Sequence, residues 1–306
     1  MKYSKPFHGV FILSLIFFML LPPISSAQTA VISPETESNL YGIIRVYGTF
    51  VIIGGDGTIF TSTDGTEWTV RKSGTSSTLY GMTFEKETFV VVGADGTILT
   101  SKSGKTWTAG EAGTSSSLYK VTYGNAIFVV AGADGTIITS EDEETWTIRN
   151  AGTSSSLYGV IVQNKTFIAF GADGAIITSE DGKAWSSRTS GTSSSLHDVI
   201  YENETFIAVG SDGTILSSHD GKAWTARESG TSSSLYAITF EMGTFVAVGA
   251  DGTLITSPDG TNWTGRSSGT SSTLNGVTYK NGNFVALGAD GTIVASPDGI
   301  TWTLRK

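Results

Sequence analysis

Tryptophan recurs at Trp68, Trp107, Trp146, Trp185, Trp224, Trp263 and Trp302, each 39 residues after the last. Two further columns keep the same step: Leu40, Leu79, Leu118, Leu157, Leu196, Leu235 and Leu274, then Phe50, Phe89, Phe128, Phe167, Phe206, Phe245 and Phe284. No insertion or deletion breaks the count. A strict period near 40 residues, filled with short apolar runs and glycine turns, is the pattern of four-stranded sheets repeated around an axis. The expectation is an all-β chain: a seven-bladed β-propeller of four-stranded antiparallel blades, starting near residues 40, 79, 118, 157, 196, 235 and 274.

One copy shows why each segment should be a strand. Leu118 to Tyr123 mixes β-branched and aromatic residues in alternation, which suits an inner strand. Phe128 to Ala131 is continuously apolar, as in a strand covered on both faces by neighbouring blades. Ala133-Asp134-Gly135 supplies residues that tolerate the positive φ of a tight hairpin, and Thr136 to Ser140 follows as a third strand. A polar turn over 141–145 leads to Trp146 to Arg149 as the outermost strand, and Ala151 to Ser156 crosses to the next blade. Helical repeats are excluded because apolar spacing of three and four is missing and glycine is frequent. Calcium-binding β-rolls repeat every nine residues or so, not 39.

The first 27 residues read as a secretory signal, with Lys2 and Lys5 ahead of an apolar run from Gly9 to Leu21 and small residues Ser25-Ser26-Ala27 for cleavage. The mature chain is expected to be secreted, extracellular or periplasmic, with no membrane span. Residues 28–39 form an N-terminal segment in which Thr29 to Ser33 aligns with the outer-strand register, so it either adds to blade seven or latches the ring. With no cysteine, neither disulfides nor thiolate metal sites stabilise the fold, and the apolar core must. Without Lys2 and Lys5 the chain carries 17 basic against 28 acidic residues, a net charge of −11 that argues against nucleic acid as a partner. A monomer is expected.

The turn before each tryptophan reads Ser257-Pro258-Asp259-Gly260-Thr261-Asn262-Trp263 and Ser296-Pro297-Asp298-Gly299-Ile300-Thr301-Trp302 in the last copies. This resembles the Asp-box, or BNR, hairpin of sialidase-like and photosystem II assembly factor-like propellers, though one residue shorter than their usual Asp-x-Gly-x-Thr-Trp spacing. The resemblance implies that Asp64, Asp142, Asp181, Asp220, Asp259 and Asp298 are structural acceptors of backbone hydrogen bonds, with the tryptophans packed between strands. The second copy has Ser103-Gly104 without the aspartate and the third has Glu143 in place of glycine, which argues against a catalytic or metal role in every turn.

Sialidase chemistry, which the resemblance raises, needs an arginine cluster, a tyrosine nucleophile and acidic partners at unique positions. Here Arg71, Arg149, Arg188, Arg227, Arg266 and Arg305 recur at one outer position, where exposed pairing with carboxylates is the expected role. His8, His197 and His219 occupy unrelated positions and make no metal site; solvent exposure is expected for the last two. Lys105 and Thr106 end a stretch like a phosphate loop, but Leu99 stands where the first glycine is required. Gly-Thr-Ser-Ser-Ser loops lack the spacing of a nucleophile elbow. The chain is read as noncatalytic, without cofactor or metal.

What remains is the repeated face. Tyr41, Tyr80, Tyr119, Tyr158, His197, Tyr236 and Asn275 share one inner-strand position that should stand at the channel mouth, beside the crossing loops and the Ala-Asp-Gly turns. Aromatic rings beside hydroxyls and carboxylates suit glycans or extended peptides; the competing reading packs the rings between blades. The expected function is noncatalytic binding or scaffolding through recognition of glycans or cell-envelope components. Protein assembly, in the manner of the photosystem II assembly factor-like propellers, is the alternative, and a sialidase-like hydrolase ranks last.

Overall fold

The computed structural model describes residues 39–305. Its twenty-eight strands form seven four-stranded antiparallel sheets, each with its strands in consecutive order. The sheets are the blades of a seven-bladed β-propeller. Residues 29–33 lie outside the described residues; blade seven draws its outer strand from its own Thr303–Arg305, paired with Ile293 to Ala295.

Blade three follows the reading closely, with strands Leu118–Gly124, Ile127–Gly132, Ile137–Ser140 and Thr147–Arg149. Two boundaries differ. Thr136 belongs to the turn, because its N–H donates to the Ala133 carbonyl at 2.9 Å, and Trp146 precedes the outer strand. The turn over Ala133–Gly135 is a short 3-10 element with Asp134 at φ +52° and Gly135 at φ +67°. Aspartate is among the few side chains that accept this left-handed region, and a Cβ on Gly135 would collide with the Thr153 carbonyl of the crossing loop.

In blade three every residue of the second strand is buried, as expected between two neighbouring blades, whereas the outer strand is largely exposed. Six apolar clusters seal six successive blade junctions. In each of the seven blades the conserved-period phenylalanine lies 6.0–6.4 Å, ring to ring, from the tryptophan of its own blade. The seventh junction is less tightly sealed. Val285, Leu287 and Ile293 of blade seven are half-buried, while their counterparts Val246, Val248 and Leu254 are at most 2 % exposed. Leu40, Ile43 and Phe50 of blade one are half-buried in the same way.

One irregularity sets the channel mouth. In every blade the pairing of the first two strands slips by one residue just after the recurring leucine, as where Leu118 pairs with Gly132 but Lys120 with Ala131. The extra residue is Tyr41, Tyr80, Tyr119, Tyr158, His197, Tyr236 or Asn275. A bulge leaves such a residue out of the ladder and re-aims its side chain.

Candidate functional site

The bulge residues meet around the channel. Ring centroids are 5.4 Å apart for Tyr41 and Tyr80, 5.6 Å for Tyr80 and Tyr119, and 6.0 Å for Tyr119 and Tyr158. The series continues at 6.1 Å to His197 and 5.3 Å from His197 to Tyr236. These spacings suit edge and tilted aromatic contacts. All six rings are half-buried, so the two expectations for them merge: each ring packs against a ring of an adjacent blade and still reaches solvent. Together with Asn275 they make a collar.

The surroundings of the collar follow from the strand directions. The turn N–H of Ala94, Ala133, Ala172, Ser211, Ala250 and Ala289 donates to the carbonyl two residues before the bulge, at 2.8 Å, so turns, loop ends and collar share one face as expected. Asp56, Asp95, Asp134, Asp173, Asp212, Asp251 and Asp290 are exposed on those turns at φ between +51° and +55°. Crossing-loop serines tie some of them down: Ser77, Ser155 and Ser194 donate at 3.0 Å to Asp95, Asp173 and Asp212. The Tyr119 hydroxyl is pushed above its ordinary pKa by burial first, then by Tyr80, Tyr158 and Asp134.

Below the collar the sevenfold repeat fails, which sequence reasoning missed. The residue after the bulge is Gly42, Gly81, Gly159, Ala237 or Gly276 in five blades, but Lys120 and Asp198 in the other two. Small residues fit because the position faces the next inner strand: a Cβ on Gly81 would lie 3.1 Å from the Lys120 Cα. Lys120 is admitted beside Ala131, the smallest residue at its paired position. Burial pulls the Lys120 ammonium down to about 8, with Asp198 acting in the opposite direction. Asp198 is pushed up by burial, against hydrogen bonds at 3.0 and 2.9 Å from the Ile238 and Val199 N–H groups and the charge of Lys120.

Blade five departs twice more. His197 replaces the collar tyrosine and Ser211 the turn alanine, and the two touch, Nε2 to Oγ at 2.9 Å. The expected solvent-exposed role of His197 is thereby corrected: the ring is half-buried, stacked at 19° on Tyr158, and held below its ordinary pKa by that burial. His219 is exposed.

The other face carries the aspartate turns. The Asp220 Oδ1 accepts from the Lys222 and Ala223 N–H groups at 2.8 and 2.9 Å, and from the Ser218 hydroxyl at 3.1 Å. Asp64, Asp142, Asp181, Asp259 and Asp298 do the same in their blades, and all six carboxyls are held below the ordinary carboxylate range chiefly by those backbone donors. Trp107, Trp185, Trp224, Trp263 and Trp302 donate from Nε1 to the turn glycine carbonyl at 2.9–3.2 Å. Where Glu143 replaces that glycine, Trp146 Nε1 is buried without an acceptor. Glu143 reaches the preceding blade instead, with Lys86 and Lys102 each at 3.3 Å.

The arginines correct a further expectation. Arg71, Arg149, Arg188 and Arg266 donate from Nε to Thr61, Thr139, Thr178 and Thr256, and Arg227 to Ser217, all at 2.7–2.9 Å within one blade. Among the described residues the ion pairs belong to lysines, including Lys183 with Glu141 at 2.6 Å and Lys222 with Glu180 at 3.4 Å, both linking adjacent blades. Arg188 and Asp173 line a shallow groove of about 500 Å3 between two crossing loops, outside the collar. Among the described residues no group of three or more histidines and carboxylates is placed to hold a metal, and no helix is long and apolar enough to cross a membrane.

No family model and no curated relative matches the chain. Solved structures do. A computationally designed protein, Ika8, superposes with a TM-score of 0.70 at 18 % identity, covering 85 % of this chain and 84 % of that one. YCF48 bound to a D1 peptide gives 0.67 at 16 % identity over 87 % and 93 % of the two chains. YCF48 from Cyanidioschyzon merolae gives 0.64 at 18 % over 85 % and 95 %, and the WD40 propeller domain of Doa1 0.63 at 17 % over 88 % and 94 %. At these identities the likeness shows the fold.

Proposed function

We propose that this chain is a noncatalytic binding propeller whose collar face docks a segment of a protein partner. The observation that carries the reading is the unbroken run of six half-buried rings around the channel mouth, each 5.3–6.1 Å from the next. Rings that already touch one another leave one shared aromatic rim in place of six separate platforms for sugars. Such a rim suits a single inserted segment, with aromatic area supplying affinity at low entropy cost. The bulge and the turns above it place the rim on a rigid scaffold. The YCF48 structure with its D1 peptide is a precedent at the level of the fold only. Export through residues 1–27 and an assembly role like that of the photosystem II assembly factor-like propellers belong to the same reading.

Repeated recognition of envelope glycans is the second reading, favoured by the tyrosine hydroxyls and turn aspartates on one face. The test is capture from host extract with the full chain beside a Tyr80→Ala, Tyr119→Ala, Tyr158→Ala variant, together with a glycan array. Stoichiometric protein capture lost in the variant supports docking in the collar. Saturable glycan binding lost in the variant, without protein capture, would replace it.

A further inference from the structure

Resting on the reading of the collar as a protein-docking rim, we propose that the docked segment is cationic, presenting lysine or arginine side chains to the tyrosine rings inside the ring of turn aspartates. Aromatic faces beside carboxylates form a receptor for organic cations, since the negative ring face and the carboxylate act in the same direction. The seven aspartates stand on turns between the second and third strands, about one to two strand spacings of roughly 4.8 Å outside the collar. The arginines end the fourth strand, further out by about the same again, and five of them are held onto third-strand hydroxyls. A segment narrow enough to seat in the collar therefore sits within about one screening length of the aspartates and mostly beyond that of the arginines. In the throat, Lys120 and Asp198 interact with each other and offset to first order. The inner zone of this face is thus acidic, and the sign of its occupant follows.

The lysines add to the contrast. Apart from Lys120 in the throat and Lys72 beside Arg71 at the rim of this face, the described lysines (Lys86, Lys102, Lys105, Lys165, Lys183, Lys222 and Lys280) stand on the hairpins of the opposite face, where several pair with carboxylates. Mixed charge there and an acidic inner zone here give the two faces different partners by charge alone.

The test uses the full chain and fluorescent short peptides of alternating glycine and arginine, or of glycine and glutamate. The arginine peptide is expected to bind saturably at low salt and to weaken as salt rises. Changing Asp95→Asn, Asp134→Asn and Asp173→Asn together should weaken it about tenfold, from roughly twofold per charge at about 8 Å in water. Asparagine also accepts the left-handed backbone of these turns, so the variant keeps its fold. The same three-charge change on the opposite face, Asp142→Asn, Asp181→Asn and Asp220→Asn, should leave binding unchanged. Tighter binding of the glutamate peptide, or equal loss in the opposite-face variant, overturns the proposal. If a partner captured through the tyrosines docks by a neutral or acidic segment, the docking function stands and this inference falls; if neither peptide nor partner depends on the tyrosines, both fall.

Discussion

One substitution made twice measures how well the ring is sealed. Phe245 and Phe50 hold the same repeat position, but Phe245 is 1 % exposed in a cluster with Ile207, Val209, Leu235 and Ile255, its ring 4.4 Å from Phe240 and 6.3 Å from Trp263. Phe50 stands at the seventh junction, half-buried, 6.1 Å from Trp68 and beneath the Arg45 guanidinium at 4.9 Å. A fully buried phenylalanine removes about 150–250 Å2 from water, worth roughly 4–6 kcal/mol at about 25 cal/mol/Å2. Phe245→Ala should therefore lose about 3–5 kcal/mol once the alanine's own burial is allowed for, with a cavity that neighbouring strands cannot fill. At Phe50 one side is already open, so Phe50→Ala should lose about 1–3 kcal/mol. Urea unfolding followed by circular dichroism, with the slopes compared to check that one transition is being read, gives both values. Equal losses would refute the reasoning, because they would mean that blade seven covers Phe50 as completely as blade five covers Phe245.

Lys120→Gly restores the residue of four other blades; with its folded pKa depressed to about 8, the wild type should gain stability as pH rises from about 8 to 10.5, and the variant should lack that gain, as urea midpoints at pH 7 and 10 will show. Glu143→Gly removes the contacts to Lys86 and Lys102 but relieves a non-glycine residue at φ +70°, so it should change stability by less than about 1 kcal/mol at low salt and stabilise at high salt, read from denaturation midpoints. Asp220→Ala should speed amide hydrogen exchange at Lys222 and Ala223 while sparing the corresponding turn of blade six. Asp142, held near about 2 by backbone donors, contributes stability above its unfolded pKa that is lost as pH falls toward 2, a loss that Asp142→Asn should not show in acid titrations.

The fold was legible because a repeat period is a global constraint: Trp68 to Trp302 at one spacing fixes blade number, strand order and the buried second strand together. The structural part played by Asp220 and its equivalents was legible too, since an aspartate two and three residues before its N–H partners forms a local turn that needs no tertiary knowledge. The His197–Ser211 contact was not, as the two residues come from different strand ends that only the bulge and the turn bring together. Lys120 and Asp198 were visible as breaks in a glycine column, but reading them as half-buried and drawn away from solvent required the close approach of adjacent inner strands. The arginines were given carboxylate partners because exposed charge usually finds charge; the cross-strand register instead places a hydroxyl ten residues earlier beneath five of the six guanidinium groups, Ala295 standing at that place for Arg305. The half-open seventh junction depends on how the ring closes, which no single repeat encodes.

The collar as the docking site for one protein segment is tested most directly by site-specific photo-crosslinking. Full-length chain carrying benzoylphenylalanine in place of Tyr119, and separately in place of Lys222 on the opposite face, is irradiated in host extract and the adducts are weighed. The account predicts one protein adduct, at one copy per propeller, from position 119 and none from 222. Several adducts per propeller, or crosslinking from 222 alone, would contradict it.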